Sequence, residues 1–266
     1  NSASIWRKGL SDTARRNDAL MTEILAEAAA HPGDDPVRTR VGDYYAACLD
    51  ERTAKTEGVK ALELLLERIA VVEDPETLGR ALAELHRAGI PALFQIRARR
   101  DGQHVLAEIG ETGACLGVRV VSSSSDALPT GFEDYVAKRL SRNLGRVGVP
   151  EGEVAEAVQD ALRIEQHLEE LRRNSRSGWN LTRVVALADV APHLPWERYF
   201  DGIGEADWRE VNVASPELLR GIDRLITRET PRALRHYLVG ILATRMGIGR
   251  LDGRLPRQDS LCRMAT

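Results

Sequence analysis

Apolar residues along this chain recur mostly at helical spacing. Leu20, Ile24, Leu25 and Ala28 form one stripe, with Glu23 and Glu27 on the other side, which predicts a first helix. His31-Pro32-Gly33-Asp34-Asp35-Pro36 breaks it, and a second helix is expected to carry Val41, Tyr44, Tyr45 and Cys48 on one face. Leu62, Leu65, Leu66, Ile69 and Ala70 repeat the pattern. Asp74-Pro75-Glu76 restarts it, and Leu78, Leu82 and Leu85 carry a fourth helix to a stop at Gly89-Ile90-Pro91.

After Pro91 the period shortens to two. Phe94, Ile96 and Ala98 alternate with Gln95, Arg97 and Arg99, Asp101-Gly102 is a turn pair, and Val105, Ala107 and Ile109 alternate with Leu106 and Glu108. This predicts a small β-hairpin over residues 93–110. The serine run Ser122-Ser123-Ser124-Ser125 cannot pack a core, so residues 117–130 read as a flexible surface loop. Helical spacing resumes with Tyr135, Leu140 and Leu144 and again from Val154 to Leu171. The remainder reads as helical, with breaks at Pro192, Pro195, Pro216 and Pro231 and a turn-rich stretch at 247–256. The expected fold is therefore mainly α: a multi-helix domain over residues 1–266 with one small hairpin and no internal repeat.

Composition narrows the function classes. With 43% hydrophobic and 29% charged residues the chain can bury a core. Its 37 basic and 40 acidic residues leave a formal net charge of −3, with no global pull toward nucleic acid or anionic membranes. No stretch approaches the roughly 18 to 20 apolar residues that cross a bilayer, and the first residues lack the blocks of a signal peptide.

Chemical motifs are sparse. His31, His86, His104, His167, His193 and His236 are scattered singly, without the His-x-x-x-His pair that brings two imidazoles to one zinc ion. There is no Gly-x-Ser-x-Gly elbow and no phosphate-binding loop of the Walker type. Cys48, Cys115 and Cys262 are too far apart for a Cys-x-x-Cys site, and on sequence alone all three read equally as buried thiols.

An ordered set of strings adds more. Tyr44-Tyr45-Ala46-Ala47-Cys48-Leu49-Asp50, then Leu85 to Phe94, then Asn212-Val213-Ala214-Ser215-Pro216-Glu217-Leu218, and finally Leu255 to Cys262 follow one another along nearly the whole chain. Together they resemble the neprilysin family of zinc metallopeptidases. In that family this region is the non-catalytic helical domain, which encloses peptide substrates against a separate zinc-binding domain. The resemblance maps Arg7-Lys8-Gly9-Leu10-Ser11-Asp12 onto the family's Arg-x-Gly-x-x-Asp string. It implies that Arg7 binds the substrate's terminal carboxylate or a backbone carbonyl and that Asp12 orients it. An alternative leaves Arg7 solvated and makes Asp12 a helix N-cap before Thr13.

The resemblance also implies a disulfide between Cys48 and Cys262, with Cys115 left as a thiol. A bridge closing so long a loop would contribute about 4 to 5 kcal/mol in the chain-entropy model and would persist only in an oxidising, extracytoplasmic compartment. The family's His-Glu-x-x-His helix would follow Cys262. The expectation is thus a split peptidase: this chain holds no cofactor, zinc sits in a partner chain carrying His-Glu-x-x-His, and the pair forms a heterodimer acting on peptides. Two other readings remain, a stand-alone peptide-binding or regulatory module and, with less to support it, an independent hydrolase.

Overall fold

The computed structural model describes residues 2–102, 104–113, 115–116, 131–204 and 208–245, with side chains from residue 11 onward except at 51–58, 101, 104 and 132. The expected serine loop at 117–130 and turn-rich stretch at 247–256 lie outside the described residues. The chain divides into two compact units whose described parts run over residues 2–61 and 62–245.

The first unit is a helical hairpin. Helix α1 (Ser2–Ala30) ends at the predicted break, and α2 (Pro36–Leu49) starts behind an N-cap in which Asp35 accepts a hydrogen bond from the Val37 amide at 2.8 Å, with Pro36 at the first helical position. Leu25 and Tyr45 are buried against each other with Ala29, Val41 and Cys48 around them. The buried face of α2 is therefore Val41, Tyr45 and Cys48, at i, i+4 and i+7. Tyr44, expected on the same face, points to solvent, as do Leu20 and Ile24 of the predicted α1 stripe. A tyrosine one residue before a buried one lies about 100° around the helix, so only one of the Tyr44-Tyr45 pair can face α1. At Gly42 the two helices approach so closely that a Cβ would lie 2.4 Å from the Ala28 carbonyl oxygen.

The boundary between the units falls within α3 (Glu51–Ala70), whose Leu62, Leu65 and Ile69 are buried. Helix α4 (Pro75–Arg87) opens on a capping box: the Asp74 side chain accepts from the Thr77 amide at 2.8 Å and the Thr77 hydroxyl accepts from the Asp74 amide at 3.1 Å. It closes on a Schellman stop. Gly89, at φ +71°, donates to the His86 carbonyl and Ile90 donates to that of Leu85, so the string from Leu85 to Pro91 is a helix terminator with an apolar residue and a proline behind it.

Strands β1 (Gln95–Asp101) and β2 (His104–Gly110) form the predicted antiparallel hairpin. Helices α5 (Phe132–Arg146) and α6 (Glu151–Arg173) follow, and Ala157, Ala161, Ile164 and Leu168 form the fully buried seam of α6. The stretch beyond α6 is not wholly helical, as its proline-punctuated pattern suggests. It contains β3 (Leu181–Arg183), a short α7 (Leu187–Val190), α8 (Trp196–Ile203) and β4 (Glu210–Val213) before α9 (Pro216–Arg228) and α10 (Pro231–Arg245). Strand β4 pairs parallel with β2 and antiparallel with β3, giving a four-stranded sheet in the order β1-β2-β4-β3. Val211 and Val213 bury one face of β4 in the core beside Ala107 and Ile109, which makes this polar and apolar alternation a strand despite its shortness. The fold is mainly α, with this small sheet inserted.

Candidate functional site

Helix α1 carries both residues that the resemblance assigns to substrate binding. Arg7 lies on its backbone, with its side chain outside the described residues. Asp12 stands five residues on, inside the helix, because α1 begins at Ser2; the N-cap alternative is thereby excluded. Its carboxylate is held by Arg15 in an exposed pair one turn away, a contact worth less than about 1 kcal/mol. Cys48 is half-buried on α2, and Cys262 lies outside the described residues. Cys115 is a buried free cysteine, and burial pushes its thiol up, against a weaker pull from Thr112, so it stays protonated and unreactive.

Three of the described histidines, His86, His193 and His236, have structural partners. His86 sits in an aromatic cluster, edge-on to Phe94 at 5.0 Å and to Tyr199 at 5.5 Å between ring centroids. Its Nδ1 lies 2.6 Å from the Tyr199 hydroxyl, and its Nε2 is 3.3 Å from the Ala92 amide and 3.2 Å from the Ala92 carbonyl. Burial lowers its pKa to about 4, and its hydrogen bonds to the backbone offset this only in part. The ring therefore pins the segment after α4. His193 bonds Asp223 at 2.8 Å, and His236 bonds Asp160 at 2.7 Å. Among the described residues, no three His, Cys, Asp or Glu side chains converge as a metal site would require. The sequence likewise contains no His-x-x-x-His pair.

A buried network ties α6 to its neighbours. Glu165 accepts from the Cys115 amide at 2.9 Å, from Arg172 at 3.2 Å and from the Tyr237 hydroxyl at 3.1 Å. Burial raises its pKa above the ordinary carboxylate range even so. Every partner here is a neighbour in the fold, and the carboxylate is fully buried.

A concentrated polar array lies on the sheet. Glu108 of β2 is fully buried, yet its carboxylate takes four donors. Arg97 gives Nε at 2.9 Å and Nη2 at 2.6 Å to one oxygen; Arg99 and the Asn212 amide, at 2.5 Å, bond the other. Burial pushes this carboxyl up, but the donors outweigh burial and hold it below the usual range. Asn212 also accepts from the Asn180 amide at 2.6 Å, and Asn180 donates its side chain to the Val213 carbonyl at 3.1 Å. These bonds fix the segment that presents Trp179, whose ring lies 5.4 Å from the Arg99 guanidinium. The array thus sets guanidinium N–H donors beside an aromatic ring, with its one carboxylate already taken up by hydrogen bonds.

Sequence reading missed this array, although Asn212 stood within one of the recognised strings. The signal lay in Arg97 and Arg99 sharing one face of a predicted strand with a lone glutamate on the strand opposite.

Comparison with known proteins places the chain. A family description, Peptidase family M13, matches its N-terminal-domain pattern to residues 2–247. Endothelin-converting enzyme-like 1 of Rattus norvegicus is 26% identical over 262 residues, and the protein of that name from Homo sapiens is 23% identical over 250 residues. Each match covers 84% of this chain and 32% of the relative, so the chain spans about a third of the length of the curated relatives it matches. Among solved structures, the zinc metalloprotease ZMP1 of Mycobacterium tuberculosis in its open state superposes with a TM-score of 0.75 at 19% identity, covering 96% of this chain and 44% of that one. PepO from Lactobacillus rhamnosis gives 0.64 at 12% identity, covering 94% and 44%. These structural likenesses show the fold. The family match shows more: the chain belongs to peptidase family M13, the neprilysin-like metallopeptidases, and carries that family's N-terminal, mainly helical domain.

Proposed function

We propose that this chain is the non-catalytic half of a neprilysin-like zinc peptidase, covering the substrate cleft and helping to hold peptides while a partner chain with His-Glu-x-x-His supplies zinc and hydrolysis. The observation that carries this reading is the M13 match over residues 2–247 in a chain whose sequence has no His-x-x-x-His pair and whose described residues gather no metal-binding group. Arg7 anchors the peptide carboxylate through its planar guanidinium, and Asp12, five residues along α1, orients that anchor. Cys48 and Cys262 form a disulfide, a pairing favoured by Cys115 being a free, buried thiol. Such a bridge suits an extracytoplasmic compartment. Among the described residues no helix is long and apolar enough to cross a membrane.

Co-expression with a family M13 catalytic half tests the pairing. The two chains are expected to co-elute as a heterodimer, and Arg7→Ala in that complex is expected to lower kcat/KM for peptides roughly tenfold or more, the scale of one charge-assisted contact. Failure to associate, with peptide binding retained by this chain alone, would instead favour a stand-alone binding module. For the cysteines, alkylation before mass analysis without reduction should label Cys115 after unfolding and leave Cys48 linked to Cys262. A labelled Cys48 would remove the disulfide and with it the argument for an oxidising compartment.

A further inference from the structure

The Arg97, Arg99 and Glu108 array has a feature that a purely structural ion-pair cluster does not need. Glu108 is fully buried, whereas the arginines that bond it keep 56% and 41% of their side chains exposed. Its two oxygens already accept four hydrogen bonds, which fills a carboxylate's capacity. Arg97 spends two of its five N–H groups there, and no other acceptor among the described residues takes a hydrogen bond from either arginine. Two positive charges face one negative charge, and the surplus guanidinium donors are held in place by a buried anchor and turned toward solvent.

Apolar area adjoins these donors. Trp179, 42% exposed, stacks by Arg99, and Leu181, 49% exposed, pairs across the sheet with Asn212 on the same face. Arg183 shares that face and is paired in register with the exposed Glu210, so these two add no net charge beside Arg97, Arg99 and Glu108, which together carry one positive charge in excess. A cation pair beside an exposed tryptophan and leucine matches a carboxylate flanked by an apolar side chain, which is the chemistry of an acidic peptide.

We infer that this face of the sheet binds an acidic peptide segment, with Arg97 and Arg99 taking a carboxylate and Trp179 with Leu181 covering the apolar residue next to it. The inference does not depend on association with a catalytic half, because binding is read on this chain alone.

The test uses the full 266-residue chain and two labelled hexapeptides, one alternating Glu and Leu and one alternating Gln and Leu, titrated by fluorescence anisotropy. The Glu peptide should bind at least tenfold more tightly than the Gln peptide, and the difference should shrink as salt rises. Arg99→Gln should weaken Glu-peptide binding at least fivefold. Since removing an arginine could unsettle Glu108, Trp179→Ala provides a second variant on an exposed side chain, with a loss of at least threefold expected. Equal binding of the two peptides, or Glu-peptide affinity unchanged in both variants, would overturn the proposal. So would displacement by millimolar inorganic phosphate with no preference between the peptides, which would mark a generic anion site.

Discussion

Single side chains do their work here by closing hydrogen bonds that the backbone leaves open. His86 is the sharpest case: it joins the end of α4 to Ala92 and Tyr199, and burial drops its pKa from 6.5 to about 4. The sign of the consequence follows from proton binding. Between pH 6.5 and 4 the unfolded chain protonates this histidine and the folded chain does not, so its stabilising contribution is complete above 6.5 and is lost as pH falls toward 4. The difference amounts to roughly 3 kcal/mol. Urea unfolding of the wild type and of His86→Gln across this range should show the wild type losing about that much more stability than the variant. Parallel pH profiles would contradict the account.

At the same scale, some residue roles were open to sequence reading and some were not. The Leu85 to Phe94 string was recognisable, but its meaning as a Schellman stop needed the left-handed Gly89 and the buried His86 ring. The Glu108 array depended on register. Taking Asp101-Gly102 as the two loop residues would set Glu108 opposite Gln95; the observed pairing of Asp101 with His104 sets it opposite Arg97. One residue of turn placement shifts every cross-strand partner by two, and no propensity in the sequence decides it.

Among the elements, helix ends and helix contacts explain the recognised strings better than chemistry does. The Asn212 to Leu218 string is a strand that places Asn212 on Glu108, followed by an N-cap in which Ser215 accepts from the Leu218 amide at 3.2 Å and Pro216 occupies the first helical position. Strand β4 was hidden because a four-residue alternation carries little signal by itself and gains its meaning from β2, about a hundred residues earlier in the chain. The Gly42 to Asp50 segment is legible as a helix, and its glycine has a packing reason. A methyl group at 42 meets the backbone of α1, which cannot move aside as a side chain could. In an exposed helix, Gly→Ala gains up to about 1 kcal/mol. Gly42→Ala should instead cost about 1 to 3 kcal/mol, measured by chemical denaturation. Gly145→Ala in α5, where nothing lies within 4 Å of the added methyl, serves as the stabilised control. A Gly42→Ala protein as stable as that control would refute the close packing of α1 on α2.

For the whole molecule, helical periodicity and an ordered set of short strings were enough to reach both the fold class and the family, and the three strings within the described residues mark a buried helix contact, a helix stop and a helix start. The chemistry was less legible. Arg7 and Asp12 rest on resemblance, while the polar array that the fold assembles draws its members from residues 97, 99, 108, 179, 180 and 212, which only the sheet brings together. The central claim is that this M13 domain completes a peptidase whose zinc chemistry lies outside its own residues. Peptide hydrolysis should therefore be measured for this chain alone, for a catalytic half carrying His-Glu-x-x-His alone, and for the two together at equal concentration. The account predicts at least tenfold faster cleavage by the pair than by either part; a catalytic half that cleaves peptides equally fast without this chain would contradict it.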